Sequence, residues 1–187
     1  TQPESSAASD VYKRQIHYAI SSAGLGALYL DKTQYELARD YLLTAYNTLI
    51  GAKDTTSATY TAGNLALAYQ GLGKVDSAFH YFYFTRANSS NLMFVHLNNE
   101  AYIGALLIDE ERYEEAENVL QKLVHQYEGK PDFSSSLMHK GILAECYAKQ
   151  AKFDSAFYYV QQVEANEVED RPYLLREFWW TAYKSYD

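Results

Sequence analysis

Apolar residues recur along the chain at helical spacing, and one arrangement of them returns four times. Each copy has a small residue, an apolar residue three positions later, an aromatic or Val residue nine positions later and an Ala twelve positions later. The Ala residues that end the copies are 40, 38 and 40 positions apart, which is a period typical of stacked helical hairpins. The chain is therefore predicted to be all-α. The copies are Gly26, Tyr29, Tyr35, Ala38; Ala66, Tyr69, Val75, Ala78; Gly104, Leu107, Tyr113, Ala116; and Ala144, Tyr147, Phe153, Ala156.

Small residues are needed at these positions because the two helices of a hairpin must cross closely. A larger side chain at Gly26 or Ala38 would overpack the crossing by about 1 to 3 kcal/mol. Leu25, Tyr29 and Leu42 fall at helical spacing around it and supply an apolar stripe. Neither helix can bury its stripe alone, so each hairpin must pack against the next. The sequence therefore predicts an α-solenoid of antiparallel hairpins.

At these residues the sequence resembles the tetratricopeptide repeat (TPR) family, over about Ile16 to Asp187. That family carries Trp, Leu, Gly and Tyr on the first helix of each repeat and Ala, Phe and Ala on the second. The resemblance implies four TPR-like repeats and the first helix of a fifth. Two features depart from the family, since the period exceeds its usual 34 residues and Ile50 stands where a Pro normally closes the first repeat. The motif residues are core residues, so they imply a fold and no activity.

Both ends of the chain suggest a fragment. Near the C-terminus, Trp179, Ala182, Tyr183 and Tyr186 match the first helix of a fifth repeat whose second helix is missing. The segment from Ser5 to Gln15 resembles a translated sequencing adapter, and its alternative is a disordered Ser/Ala-rich leader. We therefore expect residues 1–15 to be a non-native or disordered leader and residues 16–187 to form a truncated TPR-like domain.

Composition narrows the function classes. The formal net charge is -8, and an acidic chain without a basic stripe is a poor ligand for nucleic acid. No apolar run reaches the roughly 18 residues of a membrane span. Most of the 19 Tyr fall at helix positions where the ring packs and the hydroxyl reaches water. The acidic stretch from Asp109 to Glu117 is expected to be a solvated face, with a patch for a basic partner as the alternative.

Candidate catalytic chemistry is sparse. The five His residues are scattered over different hairpins, and Cys146 is the only Cys, expected to be buried and inert. His96 and Glu100 are four positions apart and are expected to be a surface pair, because two ligands do not make a metal site. Ser134 to Ser136 are expected to cap a helix. We therefore predict no enzyme activity and no cofactor or metal in this segment.

The resemblance also places the functional surface on a concave groove lined by the first helix of each hairpin. Chaperone-type members clamp a peptide carboxylate with Lys, Asn and Arg there, but only Asn64 fits, and the first repeat offers Ala23 and Ala27. Aromatic rings beside amides instead suit an extended peptide or a partner helix. The alternative is that Tyr60 and Tyr102 merely fill the interior. The groove candidates are Tyr60, Asn64, Asn98, Tyr102, Glu145, Lys149 and Trp180.

The favoured function is a protein-interaction scaffold with a protein or peptide partner. The array also resembles that of bacterial membrane-anchored regulators with a helix-turn-helix output, which implies a sensory role at the cell envelope; a cytoplasmic scaffold is the alternative. A self-associating structural adaptor, and thus a homo-oligomer, is a second hypothesis. It rests on a cluster that exceeds one buried stripe, namely Phe79, Tyr81, Phe82, Tyr83 and Phe84. The third hypothesis is an accessory domain of a fused enzyme.

Overall fold

Eight α-helices follow one another along the part of the chain that the structure describes. A computed structural model describes residues 3–126 and 134–164, and it contains no strand in those ranges. The helices form four successive hairpins, each with a first and a second helix, which confirms the all-α fold class. None of the described helices combines the length and the apolar composition that crossing a membrane requires. The helices are α1 (Pro3–Asp31), α2 (Tyr35–Gly51), α3 (Thr55–Gly71), α4 (Val75–Asn88), α5 (Met93–Asp109), α6 (Tyr113–His125), α7 (Ser134–Lys149) and α8 (Phe153–Glu164).

The chain divides into two compact units, residues 1–99 and 100–187, and the division falls within α5. In the first unit α1 packs on α2, α2 on α3 and α3 on α4. In the second unit α6 packs on α7 and α7 on α8. Within each unit the helices thus bury most of their apolar stripes both inside a hairpin and between successive hairpins, as the sequence pattern predicts. Leu25, which the pattern assigns to the stripe at the first crossing, is instead 46% exposed. The backbone of α1 is helical from Pro3, so it runs through the leader segment; the origin of that segment stays a prediction.

The crossing within a hairpin is as close as the small residues predict. A Cβ atom built on Gly26 would lie 2.5 Å from Cγ of Leu42 and 3.2 Å from the carbonyl oxygen of Ala38. A Cβ atom built on Gly104 would lie 2.5 Å from the side chain of Leu120. Real Cβ atoms do not approach other atoms so closely, and Ala38 is itself fully buried. The prediction that these positions need small residues is therefore confirmed.

Stacked tyrosine rings join the two helices in three of the four hairpins. The paired tyrosines are 12 positions apart in each case, with ring centroids 5.3 Å apart for the first pair, 5.5 Å for the second and 5.8 Å for the third. Such aromatic pairs contribute about 0.5 to 1.5 kcal/mol beyond their burial. A good part of the high tyrosine content thus serves packing within hairpins. The pairs are Tyr29 with Tyr41, Tyr69 with Tyr81 and Tyr147 with Tyr159.

The turn inside every hairpin contains one residue with a left-handed backbone. These residues are Thr33, Gly73, Glu111 and Ala151, with φ between 55° and 66°. The next residue donates its backbone N–H to the carbonyl five residues earlier in the pattern of a Schellman turn, as from Lys152 to Tyr147 at 2.9 Å. Only one of the four turns uses glycine, for which this conformation carries no steric cost.

We expect the glycine and non-glycine turns to respond to mutation in opposite directions. Ala151→Gly should raise the free energy of unfolding by about 0.5 to 1 kcal/mol, because it relieves left-handed strain at an exposed position. Gly73→Ala should lower it by about 1 kcal/mol for the converse reason. Urea unfolding followed by circular dichroism measures both. A loss of stability in both variants would show that backbone strain does not dominate these turns.

Most aromatic side chains of the cluster on α4 pack against other residues of the first unit. Phe79 and Phe82 are buried, and Tyr81 stacks on Tyr69 of α3. The Phe84 ring meets the ring of Tyr46 on α2 edge to face, with centroids 5.3 Å apart. Tyr83 is the exposed member of the five, and its ring stacks on Phe79 and lies under Arg86. The cluster therefore no longer argues for self-association.

A polar network fixes α6 to the turn between α7 and α8. The Glu117 carboxylate accepts hydrogen bonds from Nζ of Lys152 at 2.7 Å, Nε2 of Gln150 at 3.1 Å and Nε2 of Gln121 at 3.1 Å. Burial alone would raise the pKa of Glu117, but the hydrogen bonds from Lys152 and Gln150 outweigh it and the pKa is lowered. The network thus joins the third hairpin to the fourth through a paired carboxylate.

Candidate protein-interaction surface

One stripe of residues stays accessible along each first helix. On α3 this stripe consists of Tyr60, Asn64, Leu67 and Gly71, at successive steps of four, three and four residues. The intervening α3 residues are mostly buried, because α1, α2 and α4 all pack on α3. The spacing places the four residues on one helix face. We call these positions, on every first helix, the accessible stripe.

The accessible stripe occupies the same register in all four hairpins. Each of its positions recurs after 40, 38 and 40 residues, in step with the Ala markers of the repeat. Every stripe residue is exposed or half-buried. The stripe contains all six groove candidates that lie in the described residues, and Trp180 lies outside them. Its other members are Ile20, Gly24, Ala27 and Asp31 on α1; Ala105 and Asp109 on α5; and Met138 and Ile142 on α7.

In the first unit the stripe combines apolar and amide side chains. Tyr60 is 51% exposed, Ile20 is exposed, and Asn64 and Asn98 are half-buried. Tyr60 is thus accessible to solvent in this unit, and its role in binding stays a prediction. Asp31 is the stripe residue of this unit with a charged side chain. This part of the stripe thus offers a ligand apolar contact together with amide groups that can form hydrogen bonds.

In the second unit the stripe is charged. Burial raises the pKa of Glu145, the nearby Asp109 raises it further, and Lys149 opposes the rise. Lys149 stands one helical turn after Glu145 and is exposed. Tyr102 lies on the same stripe at the margin of exposure. Two carboxylates with one ammonium group would favour a ligand that supplies a positive charge.

Part of the stripe is not among the residues predicted from the sequence. In the first hairpin Ala23, which the resemblance places in the groove, lies beside the stripe and packs partly on the core of α1 and α2. Ile20 and Gly24 occupy the stripe positions instead, next to Ala27. Asp109 was assigned to a solvated acidic face, although it shares the stripe with Glu145. The signal that finds these residues is the repeat spacing itself, counted from Tyr60.

The side chains with metal-binding potential lie apart in the described part of the chain. No group of three or more His, Cys, Asp and Glu side chains in the described ranges is arranged to hold a metal ion. Nδ1 of His96 lies 3.2 Å from the Ser89 hydroxyl. The helix α7 begins at Ser134, where the sequence predicts a cap, but the side chains of the serine run lie outside the described residues.

Cys146 is buried, as the sequence predicts, and we expect it to be unreactive. Its thiol lies 3.4 Å from the carbonyl oxygen of Tyr113, and burial raises its pKa to about 11. The thiolate that attacks thiol reagents is therefore scarce at a pH of about 8. Titration with a chromogenic disulfide should show slow labelling of the native chain and fast labelling in denaturant. Fast labelling without denaturant would mean that the α6–α7 contact opens readily.

Solved structures provide the comparison that decides the fold. Nearly identical TPR-like repeats from Podosopora anserina, assigned to a putative kinesin light chain, match with a TM-score of 0.72 and 18% identity, over 89% of this chain and 85% of that one. A single-residue variant of that protein matches with a TM-score of 0.73 and 18% identity, over the same shares of the two chains. The fold is that of TPR-like repeats. BtubC (BKLC) from P. vanneervenii also matches, with a TM-score of 0.69 and 17% identity, over 81% of this chain and 65% of that one.

The likeness is one of TPR-like architecture. No family model matches the sequence, and no curated protein is significantly similar to it. At 17 and 18% identity the structural matches establish the fold, while function belongs to particular sites on a fold. The function of the TPR-like hairpins must therefore be argued from the accessible stripe.

Proposed function

We propose that the chain is a protein-interaction scaffold whose accessible stripe binds a peptide or a helix of a partner protein. One observation carries the proposal: side chains suited to recognition remain accessible in the same register on successive first helices, and on α3 the neighbouring faces are packed. A repeat array offers binding positions at regular intervals, which suits an elongated ligand. The TPR-like fold supports this function without specifying the ligand.

The chemistry of the stripe suggests how such a ligand would be held. Tyr60 offers a large ring whose side chain loses little conformational entropy on binding, a property of residues that anchor interfaces. Asn64 and Asn98 offer donors and acceptors for the backbone of an extended peptide. Asp109 and Glu145 would favour a Lys or Arg of the ligand. A terminal carboxylate is a poor fit, because Lys149 is the stripe's cation in the described residues.

We further propose that the scaffold is the sensory part of a membrane-anchored regulator. Support for this narrower role comes from the resemblance of the long-period, Tyr-rich array to the corresponding part of such regulators. Long-read sequencing of the source locus tests it. A hydrophobic span followed by a basic helix downstream of Asp187 would support the role, whereas a short continuation without either would contradict it and leave a free-standing scaffold.

The binding function is tested by panning a random peptide library on the purified chain. We expect enriched peptides to bind the chain and to lose about tenfold or more in affinity to Tyr60→Ala, because truncating an anchoring ring typically costs more than about 1 kcal/mol. Asn64→Ala should weaken binding less. Fluorescence anisotropy with one labelled peptide measures each dissociation constant.

Tyr158→Ala is the matched control for this experiment. Tyr158 is 55% exposed, close to the exposure of Tyr60, but it lies on the second helix α8. Peptide affinity should be the same for this variant as for the parent chain. Binding that ignores Tyr60 and Asn64, or that falls equally with Tyr158→Ala, would exclude the stripe as the binding surface.

A further inference from the structure

One side of α7 buries a histidine whose ring nitrogens are unpaired. His139 is 1% exposed, and neither ring nitrogen has a hydrogen-bond partner among the described residues. It stands one helical turn before Leu143 and two turns before Cys146, and both of these residues are fully buried. The Cys146 thiol lies 3.4 Å from the carbonyl oxygen of Tyr113 at the start of α6. His139 thus lies on the side of α7 that forms the α6–α7 contact.

The α2–α3 contact is the equivalent in the first unit, and its polar residue is paired. Thr61 is equivalent to His139, which follows it by 78 positions. Thr61 lies between Ala58 and Leu65, which pack on α2. It is 2% exposed, and its hydroxyl donates to the carbonyl oxygen of Ser57 in the same helix at 2.8 Å. The hydrogen bond of Thr61 therefore does not depend on whether α2 and α3 stay together.

The unpaired imidazole of His139 weakens the closed α6–α7 contact. A neutral imidazole has one donor and one acceptor, and burying them without partners costs free energy that is recovered when water reaches the ring. One such group should raise the population of the separated state by roughly tenfold or more relative to an otherwise equal contact. We therefore expect α6 and α7 to separate more often than α2 and α3.

A polar network across the same contact opposes this separation. Glu117 of α6 accepts hydrogen bonds from Lys152 at 2.7 Å and from Gln150 at 3.1 Å, in the turn after α7. Gln121 of α6 donates to the Tyr147 hydroxyl of α7 at 2.6 Å. The side chains of Glu117 and Lys152 are 20% and 47% exposed, so salt and water weaken their pairing. The contact thus combines a buried destabilising group with partly exposed bonds that hold it closed.

We propose that the α6–α7 contact is a conformational latch, at which α7 separates locally from α6 while the first unit stays folded. The Glu117 network closes the latch, and the buried imidazole of His139 favours its opening. The open state is a minor one, so labelling of the Cys146 thiol in the native chain is still slow. The α2–α3 contact lacks the unpaired group at the equivalent position and should open only when the unit unfolds.

Opening of the latch would change the accessible stripe of the second unit. Glu145 of α7 lies within electrostatic range of Asp109 at the end of α5. The close crossing at Gly104 and Leu120 holds α5 to α6, so separating α7 from α6 would move Glu145 away from Asp109. A ligand that contacts both carboxylates would therefore favour the closed latch. This consequence rests on the binding function proposed above, whereas the latch itself does not.

The rate at which the Cys146 thiol is labelled, in the full chain without ligand, tests the latch. Local opening exposes little surface, so the rate should change little with urea below the unfolding transition, whereas labelling through global unfolding rises steeply. Ala68→Cys in a Cys146→Ala background places the thiol at the equivalent buried position of the α2–α3 contact. At one pH of about 8, Cys146 should be labelled about tenfold or more faster than this introduced thiol.

Point variants separate the latch from a general change in stability. Glu117→Ala should raise the labelling rate of Cys146, because it removes the acceptor of the network. Glu115→Ala is the matched control and should leave the rate unchanged, since Glu115 pairs with Arg112 and not with α7. His139→Leu should lower the rate by roughly tenfold, because it removes the unpaired groups and keeps an apolar side chain of similar size. His139→Met replaces it if that variant does not fold.

Three results would overturn the proposal. Labelling of Cys146 rises with urea as steeply as global unfolding followed by circular dichroism, Cys146 is labelled no faster than the introduced thiol, or Glu117→Ala and Glu115→Ala have equal effects. The first of these needs no variant, so it decides the question even if Ala68→Cys does not fold. None of the three involves a ligand, so the binding function of the accessible stripe is tested separately by the peptide experiment.

Discussion

Ala78→Trp is expected to lower the free energy of unfolding by about 3 kcal/mol or more, at the upper end of the range for overpacked cores. Ala78 is fully buried on α4, at the position equivalent to Ala38, where the two helices of a hairpin cross. At the equivalent crossings in the first and third hairpins, even a single Cβ atom added to Gly26 or Gly104 would lie too close to a leucine side chain. An indole at Ala78 would force α3 and α4 apart, and a domain of this size has little stability in reserve.

Ala87→Trp is the matched control on the same helix, because Ala87 is exposed near the end of α4. It should change stability by less than about 0.5 kcal/mol. Tyr102→Ala should likewise leave the fold mostly intact, since Tyr102 belongs to the accessible stripe. Circular dichroism during urea unfolding ranks the three variants. If Tyr102→Ala or Ala87→Trp lowered helicity more than Ala78→Trp, the assigned repeat register would be wrong.

The helical hairpins were predictable because packing constrains them at every repeat. The spacing of the Ala markers and the small residue twelve positions earlier specify where the two helices cross, and Gly26 and Gly104 lie at that crossing. Cys146 was also predictable as a buried residue, since it lies beside the core tyrosine of its hairpin. Whatever recurs with the repeat is visible in a single sequence, because each copy supplies evidence for the others.

The turns and the packing of the aromatic residues on α4 were less predictable. Glycine marks the left-handed turn residue at Gly73, but Thr33, Glu111 and Ala151 adopt the same conformation without a glycine signal. The aromatic residues of α4 suggested an exposed cluster, yet their partners come from α2 and α3 and so depend on tertiary contacts. A side chain's exposure depends on which neighbour covers it, which periodicity within one helix does not reveal.

The state of His139 was harder still to predict from the sequence. It occupies a repeat position that carries Thr61 in the second hairpin and Asn99 in the third. Both of those side chains are buried and donate a hydrogen bond, from Thr61 to the carbonyl of Ser57 and from Asn99 to the carbonyl of Phe82. His139 is equally buried, but neither ring nitrogen has a hydrogen-bond partner among the described residues. A buried polar group without a partner opposes folding.

We expect His139 to make the fold sensitive to mild acid. Burial lowers the pKa of His139 to about 4, whereas an unfolded histidine titrates near its ordinary value of 6.5. Between these two values the unfolded chain binds the proton and the folded chain does not, so the free energy of unfolding falls as pH falls. The total decrease in the free energy of unfolding, reached as pH approaches 4, is about 3 kcal/mol. Urea unfolding at a series of pH values from about 7.5 to about 4.5, near the lower of the two pKa values, measures the slope.

His139→Gln should flatten that slope, while His17→Gln should leave it unchanged, because His17 is exposed. The slope is the informative quantity, since it is independent of any constant loss of stability caused by the buried amide. Glu145 acts in the opposite direction: burial raises its pKa, so its contribution favours the folded state as pH falls. It is present in both variants and cancels in the comparison. Equal slopes for His139→Gln and His17→Gln would show that His139 is not buried as a neutral group, and an imidazole titration by NMR would then place its pKa near about 6.5.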